Sequence, residues 1–206
     1  MSQRETLAWH RSALPAREPA GLRGAWSVRD FDPESDTAAV SGLDTSYASD
    51  QIYAVHRNGN VVALAPTAIM ALHAGRAAVA ARPELGAGLA RWTHARVAVL
   101  DGQLRGFIAW RCEPGRRMTI VHFHVDRLYR QRGGGRRLLD DAIERARRAG
   151  ATVAWLETSS ANHPAITAAH RLGFQICGFD TTLYRDTPRQ GEVAVFMAHL
   201  IDDARA

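Results

Sequence analysis

The chain has 206 residues, of which 46% are apolar and 23% are charged, and these values predict one folded α/β domain with at most a small appendage. All 26 basic residues are arginine, and the complete lack of lysine excludes a P-loop nucleotide site and a pyridoxal Schiff base. Two cysteines without metal-ligand spacing, no apolar run of about 18 residues and no signal-peptide core exclude a disulfide scaffold and a membrane span, and predict a cytoplasmic protein.

The N-terminal part of the chain divides into an extension and the first elements of the domain. Residues 1 to 25 show no periodicity and are predicted to be an extension, which leaves residues 26 to 206 as a single domain. The segment "WSVRDF" alternates polar and apolar residues, as a strand does. Asp32, followed by a proline and an acid, predicts the N-cap of a helix that runs to about Leu43.

The next stretch contains a hairpin signal and then a less regular region. Asn58 and Gly59 lie between two apolar runs in "QIYAVHRNGNVVALAP", a pattern that predicts a β-hairpin. From Thr67 to Trp92 the chain is rich in alanine, and we expect two short helices separated at Pro83.

Three strands joined by tight turns come next. They are "HARVAVL", "QLRGFIAWR" and "RRMTIVHFHV", separated by Asp-Gly and Glu-Pro-Gly turns. After a run of glycines, apolar residues recur at helical spacing until Gly150. "TVAWLET" is typical of a strand covered on both faces, "HPAITAAHRL" of a short helix, and "FQICGF" and "VAVFMAHL" of closing strands.

The segment "RQRGGGRRLLDD" places three glycines at the start of that first long helix. The first N–H groups of a helix have no intrahelical partner and lie at the positive end of its dipole, so they can bind an anion. Glycine lets phosphate oxygens approach the backbone, and neighbouring arginines can add charge-assisted hydrogen bonds. The turn therefore predicts a pyrophosphate site, with a plain flexible turn as the alternative. A dinucleotide fingerprint is disfavoured because Leu138 replaces its third glycine and the turn follows antiparallel strands.

The loop and the segments after it resemble the GNAT acetyltransferase superfamily. The family signature Arg/Gln-x-x-Gly-x-Gly/Ala is matched by Arg130, Gly133 and Gly135. Within the superfamily, "LDTSYASD", "WLETSSANHPAI", "CGFDTTLY" and "GEVAVFM" are similar to segments of streptothricin (nourseothricin) acetyltransferases. The resemblance implies the GNAT fold, a mixed α/β architecture with helices on both faces of a twisted sheet. That sheet is mostly antiparallel and splays apart between its fourth and fifth strands.

The resemblance also implies an acyl donor and its binding residues. Family members bind the pyrophosphate of acetyl-CoA at this loop, and no metal is expected. The matching residues here are Arg130, Gln131, Arg132, Gly133, Gly134, Gly135 and Arg136. Backbone groups from Phe123 to Val125 are expected to bond the pantetheine amides, and Asn162 is expected to meet the cofactor beyond the fifth strand.

Two histidines are candidates for the proton acceptor. By strand alternation, Met118, Ile120, His122 and His124 share one face. An attacking amine must be neutral, and an unperturbed imidazole titrates near about 6.5, so His122 or His124 can take the amine's proton. The alternative is that both are partly buried and bonded to neighbouring backbone. Tyr184 is the candidate acid, with packing at a sheet edge as the alternative, since the family's usual tyrosine position holds Ala169.

Five acidic residues match acidic positions of the streptothricin enzymes and together predict a binding site for an ammonium group. They are Asp44, Asp50, Glu157, Asp180 and Glu192. Singly, each is more often a helix cap or a turn residue. The streptothricin enzymes also carry acids along the strand where this chain has Val121, His122 and His124, which weakens the expectation of a strongly cationic substrate.

We therefore expect an acetyl-CoA-dependent N-acetyltransferase that acts on a primary amine of a small molecule by direct attack in a ternary complex. A streptothricin-type antibiotic is the favoured acceptor, and a catalytically silent acyl-CoA-binding sensor or interaction module is the alternative. The net charge of +5 would admit nucleic acid, but the arginines are scattered rather than gathered in one stripe. Neither nucleic acid nor a membrane is expected as a partner, and the resemblance leaves a homodimer open.

Overall fold

The structure, a computed structural model, describes residues 25–77 and 91–201 of the chain. The predicted extension falls outside these ranges except for Ala25, so the predicted domain boundary remains a prediction. Within the described ranges, no helix has the length and apolar character needed to cross a membrane. The elements are β1 (Ser27–Asp30), α1 (Pro33–Ser41), β2 (Ser46–Asn58), β3 (Val61–Arg76), β4 (His94–Leu100), β5 (Gln103–Glu113), β6 (Arg117–Val125), α2 (Gly134–Arg148), β7 (Val153–Ser159), α3 (His163–Arg171), β8 (Gln175–Asp180) and β9 (Ala194–Leu200).

Seven of these strands form one sheet in the order β1-β4-β5-β6-β7-β9-β8, and β2 pairs with β3 in a separate hairpin. All neighbours in the sheet are antiparallel except β6 and β7, which are parallel. The parallel pair extends only from Arg117 opposite Val153 to Ile120 opposite Leu156. Beyond those residues the fourth and fifth strands of the sheet have separated, so the predicted fold and its splay are confirmed.

The helices cover both faces of the sheet, and each buries apolar side chains against it. On one face, α2 and α3 contribute Leu138, Leu139 and Ile166 to a large core. On the other, Val40 of α1 packs with Phe107 in a smaller core. Burying a side chain of this size stabilises the fold by about 1.5–3 kcal/mol.

The local start and stop signals act as the sequence predicts. The Asp32 side chain accepts a hydrogen bond from the Glu34 amide at 3.0 Å and caps α1, which ends at Ser41, slightly before the predicted Leu43. Gly150 adopts φ +89° just beyond the end of α2, a conformation that favours glycine. The hairpin turn falls at Gly59, immediately after Asn58, as predicted.

The prediction of helix from Thr67 onward is wrong for the part that the structure describes. Residues 67–76 continue β3, with Ala68 opposite Gln51 and Arg76 opposite Ser46. The partner strand β2 supplies ladder hydrogen bonds along this stretch, and tertiary pairing overrides the helical preference of alanine. The remainder of the predicted helices, including Pro83, lies outside the described residues apart from the short stretch before β4.

Candidate active site

The glycine-rich turn forms an open helix N-terminus at the end of β6. Gly133 is the N-cap of α2 with φ +85°, and no side chain of the described residues caps the helix. The Arg137 amide is the first to bond back, to the Gly133 carbonyl at 3.1 Å. The preceding amides, those of Gly134 to Arg136, are the N–H groups that the helix itself leaves without partners. We call these amides the anion cradle, because the sequence predicts that they bind an anion.

The three glycines differ in how strongly their surroundings require a glycine. Gly133 needs its left-handed conformation, and the space beside it is open. A Cβ on Gly134 would lie 2.6 Å from the indole of Trp26, which also donates its N–H to the Arg132 carbonyl at 2.7 Å. A Cβ on Gly135 would make an ordinary contact of 3.4 Å with Val125. Gly134 is therefore required by Trp26, a residue that the sequence analysis did not assign to this loop.

The arginines of the loop do not all face outward. Arg130 donates to the carbonyls of Val125 at 3.0 Å and Ser46 at 2.8 Å, so its guanidinium ties the loop to the start of β2. Its half-burial lowers the pKa of Arg130 from its usual value. Arg136 donates to the Arg171 carbonyl at 3.0 Å. Gln131, with φ +61°, and Arg132 are exposed at the rim.

The splay leaves one edge of β6 open beside this loop. Past Ile120, β6 keeps its partner on the β5 side, where Phe123 lies opposite Ile108, but no strand of the described residues pairs with it on the β7 side. This edge provides backbone groups for a ligand, although the Val125 carbonyl is already bonded to Arg130. Asn162 caps α3 by accepting from the Ala165 amide at 3.2 Å.

The predicted face of β6 requires a correction. Ile120 lies opposite Trp110 and His122 lies opposite Ala109, so Val121 is the extra residue of a β-bulge. Met118 and Ile120 consequently lie in the core beneath α2 and α3, on the opposite face from the histidines. His122 and His124 still share a face, with ring centroids 5.7 Å apart, and His122 packs beside Phe107 on the α1 side.

Both imidazoles are buried in apolar surroundings. Among the described residues, neither Nε2 atom has a hydrogen-bond partner. Burial lowers the pKa of His122 to about 4. Burial, with smaller effects from His122 and Arg130, lowers the pKa of His124 to about 3. Both rings are therefore neutral at pH 7, and each is a weaker base than the sequence analysis expected.

A cluster of charged and hydroxyl side chains lies where β7 leaves β6. The Tyr184 hydroxyl donates to a carboxylate oxygen of Glu157, and Arg189 donates to the Tyr184 oxygen at 2.9 Å. The Ser159 hydroxyl donates to Glu192. Burial and the Glu157 carboxylate raise the pKa of Tyr184 well above its usual value. We call Glu157, Ser159, Tyr184, Arg189 and Glu192 the carboxylate cluster.

The carboxylate cluster lies on the same face of the sheet as the two histidines. Leu156 points into the core under α2 and α3, so its neighbour Glu157 points to the other face. That is the face on which His122 packs with Phe107. Because β6 and β7 are parallel, their carboxyl ends meet at one edge of the sheet, beside the anion cradle. From β2, Tyr47 is close enough to Glu192 for that carboxylate, together with burial, to raise the pKa of Tyr47.

The other three predicted acids lie apart from the carboxylate cluster or serve local turns. Asp44 accepts from the Ser46 amide at 2.9 Å. Asp180 accepts from the amide of Thr182 at 2.6 Å and from its hydroxyl at 2.7 Å. Asp50 is exposed on β2. Both hydrogen-bonded carboxylates are Asx-turn residues, the alternative that the sequence left open.

Sequence reasoning missed two members of the carboxylate cluster and the tryptophan that packs against the glycine-rich turn. Ser159 could have been found, because it follows Glu157 by two positions on a strand and so shares its face. Trp26 carries no such signal, since it reaches Arg132 across 106 positions of sequence. Arg189 carries none either, since it lies in a loop with Tyr184, where no strand or helix periodicity assigns side chains to a face.

Comparison with known proteins identifies related chains. Residues 76–174 match the model of the Acetyltransferase (GNAT) family. A streptothricin acetyltransferase from Streptomyces lavendulae is 34% identical over 177 residues, which cover 79% of this chain and 89% of that protein.

Solved structures agree in fold. The crystal structure of a nourseothricin acetyltransferase matches with a TM-score of 0.75 and 32% identity, over 86% of this chain and 99% of that one. A protein described as a streptothricin acetyltransferase from Bacillus anthracis strain Ames, in complex with acetyl coenzyme A, matches with a TM-score of 0.71 and 22% identity, over 86% of this chain and 98% of that one.

Proposed function

The chain belongs to the GNAT family of acetyltransferases, and from that premise we propose that it acetylates a primary amine of a small molecule. The acetyl donor is acetyl-CoA, and the amine attacks it directly while both are bound to the enzyme. A streptothricin-type amine is the first acceptor to test, because relatives at 32% and 34% identity bear the names of streptothricin-class enzymes.

The anion cradle fits the donor. Its diphosphate matches the unpartnered amides of Gly134 to Arg136 and the open space beside Gly133, and Arg132 can approach from the rim. When bound, the donor supplies an acetyl group already activated as a thioester. The open edge of β6 holds the pantetheine arm in this proposal, with Asn162 near the start of α3.

The observation that carries the amine assignment is the carboxylate cluster beside the splay. Glu157 and Glu192 bring two carboxylates to one end of the sheet, and each is held in place by a hydroxyl, from Tyr184 and Ser159 respectively. Two oriented carboxylates attract an ammonium group and fix its position. Asp44, Asp50 and Asp180 have at most an outer role, through the negative potential at the entrance.

In this proposal, His122 and His124 transfer the proton of the attacking amine. Since both imidazoles have lowered pKa values, they relay the amine's proton to water rather than hold it. The C–N bond forms as the C–S bond of the thioester breaks, and the departing thiolate takes a proton from water. Tyr184 remains protonated because its pKa is raised, which suits donation to Glu157 better than release of a proton to the leaving thiolate. We therefore assign Tyr184 to positioning Glu157.

A thiol-release assay with acetyl-CoA and a panel of amines, streptothricin included, tests this function. We expect turnover with at least one primary amine. Glu157→Gln should raise KM for that amine by about tenfold, the effect of losing one close charge partner. His122→Ala should lower kcat roughly ten- to a hundredfold, at the low end of proton-transfer effects, with CoA affinity unchanged.

An acid outside the carboxylate cluster provides the control. Glu34→Gln, in the exposed first turn of α1, should behave as wild type. Tight CoA binding without turnover of any amine would contradict the proposal and favour an acyl-CoA-binding module. A loss of CoA affinity in His122→Ala with intact chemistry would contradict the histidine assignment.

A further inference from the structure

Arg189 occupies the position at which an acceptor's ammonium group would be bound. Its Nη1 atom donates to the Tyr184 hydroxyl at 2.9 Å and lies 3.9 Å from the Glu157 carboxylate. Its Cζ atom lies 4.0 Å from the centre of the Tyr184 ring. The guanidinium thus takes three kinds of contact that an organic cation seeks: a carboxylate, a hydroxyl and an aromatic face.

The contact with Glu157 is loose enough to be replaced. A nitrogen-to-oxygen distance of 3.9 Å is at the outer limit of an ion pair, and the Arg189 side chain is 50% exposed. Partly exposed ion pairs of this kind contribute little to stability. An ammonium group that hydrogen-bonds Glu157 directly, at about 2.8 Å, would bind that carboxylate more strongly.

The carboxylate cluster contains more negative charges than positive charges. Glu157 and Glu192 supply two negative charges and Arg189 supplies one positive charge, so the cluster carries one net negative charge. The neighbouring strand β6 adds none, because His122 and His124 are both neutral at pH 7. One net negative charge matches an acceptor that brings a single cationic group to the site.

We propose that Arg189 is a specificity-determining residue, a displaceable internal counter-ion that competes with the acceptor's ammonium for Glu157 and disfavours acceptors with a second nearby cation. This inference rests on the proposed function in one respect, the use of the carboxylate cluster to bind amines. It predicts that removing the guanidinium charge strengthens amine binding, and does so more for dications than for monocations.

Calorimetric titration of the CoA-bound enzyme with butylamine and with 1,4-diaminobutane tests this without requiring turnover. In Arg189→Gln, the Kd for butylamine should fall about three- to fivefold, and the Kd for diaminobutane should fall further. The gain should shrink as ionic strength rises from about 0.05 to 0.5 M, because salt screens exposed charges. Arg189→Lys retains the charge and should keep the wild-type preference between the two amines.

Arg185→Gln is the matched control, because Arg185 is exposed in the same loop outside the carboxylate cluster, and it should leave both Kd values unchanged. Weaker or equal amine binding in Arg189→Gln, an equal gain in Arg189→Lys, or no amine binding to any variant would overturn the proposal. Tighter binding in Arg189→Gln with no acetyl transfer by any variant would leave this inference standing and reject the proposed function.

Discussion

His122 and His124 show how much of a residue's chemistry is decided by its surroundings. Strand alternation correctly predicts that the two rings lie on one face, but it cannot reveal that their Nε2 atoms are buried without a partner among the described residues. Desolvation disfavours the charged imidazolium, so the pKa of His122 falls from 6.5 to about 4. Neither histidine therefore holds a proton at pH 7.

The lowered pKa makes stability depend on pH in a definite direction. Below about pH 6.5 an unfolded histidine binds a proton that folded His122 does not, so the folded state loses stability as pH falls toward about 4. Each such histidine contributes a slope of at most about 1.4 kcal/mol per pH unit. In His122→Gln, the free energy of unfolding from urea titrations between these pH values should decline less steeply than in the wild type.

Carboxylates also titrate in this pH range. The test is therefore the difference between variants in the slope of the free energy of unfolding against pH. His56→Gln alters an exposed histidine of the hairpin and should keep the wild-type slope. A slope in His122→Gln equal to that of the wild type would show that His122 is not protected from protonation in the folded protein.

At the scale of single elements, the start of α2 was predictable from the sequence, whereas the contact that holds it in place was not. Glycines followed by a helical pattern predict an open N-terminus from local rules alone. The indole of Trp26 packs on Gly134 and bonds to Arg132, yet Trp26 lies just before β1, more than a hundred positions away in the sequence. Trp26 therefore fixes the shape of the loop that we propose as the donor site.

Removing the Trp26 contact should weaken donor binding. Trp26→Phe loses one hydrogen bond, worth about 1 kcal/mol, and should weaken CoA binding by up to about fivefold. Gly134→Ala should act in the same direction, because its methyl group would lie 2.6 Å from the ring. Calorimetric CoA titrations of Trp26→Phe, Trp26→Ala, Gly134→Ala and the double variant Trp26→Ala/Gly134→Ala measure the effects.

The two changes disturb one contact, so their effects should not add. The double variant Trp26→Ala/Gly134→Ala should bind CoA little worse than Trp26→Ala alone, because the alanine methyl no longer meets an indole. Fully additive losses, or CoA affinities equal to that of the wild type, would mean that Trp26 does not hold the loop in its binding shape.

Two strands, β6 and β3, differ from what their sequence patterns predict. A single extra residue at Val121 moves the histidines to the face opposite Ile120, and strict alternation has no means of indicating such a bulge. In β3, a run of alanines predicts helix, but a partner strand supplies its ladder bonds. Both differences come from pairing with another segment, which a local window does not contain.

At the scale of the whole molecule, the matched segments carry a resemblance to the GNAT superfamily, and that resemblance predicted the sheet and its splay. The matched segments could not predict which distant parts of the chain touch. Two such contacts join the two halves of the candidate site. The Arg127 amide bonds the Asp44 carbonyl at 2.9 Å, and Arg130 bonds the Ser46 carbonyl at 2.8 Å. The anion cradle is thereby tied to β2, which carries Tyr47 toward Glu192.

These two hydrogen bonds predict that CoA binding reduces the mobility of residues 44–47, on the side of the site that we propose for the acceptor. In the wild type, saturating CoA should slow amide hydrogen exchange at residues 134–137 and also at residues 44–47. Arg130→Lys keeps a charge but lacks the planar fork that bonds two carbonyls at once. In Arg130→Lys, CoA should still protect residues 134–137 but should no longer protect residues 44–47. Arg132→Gln, altered at the exposed rim, should weaken CoA binding, yet saturating CoA should protect both segments in that variant. Protection of residues 44–47 in Arg130→Lys equal to that in the wild type would mean that the two sides are not coupled through Arg130.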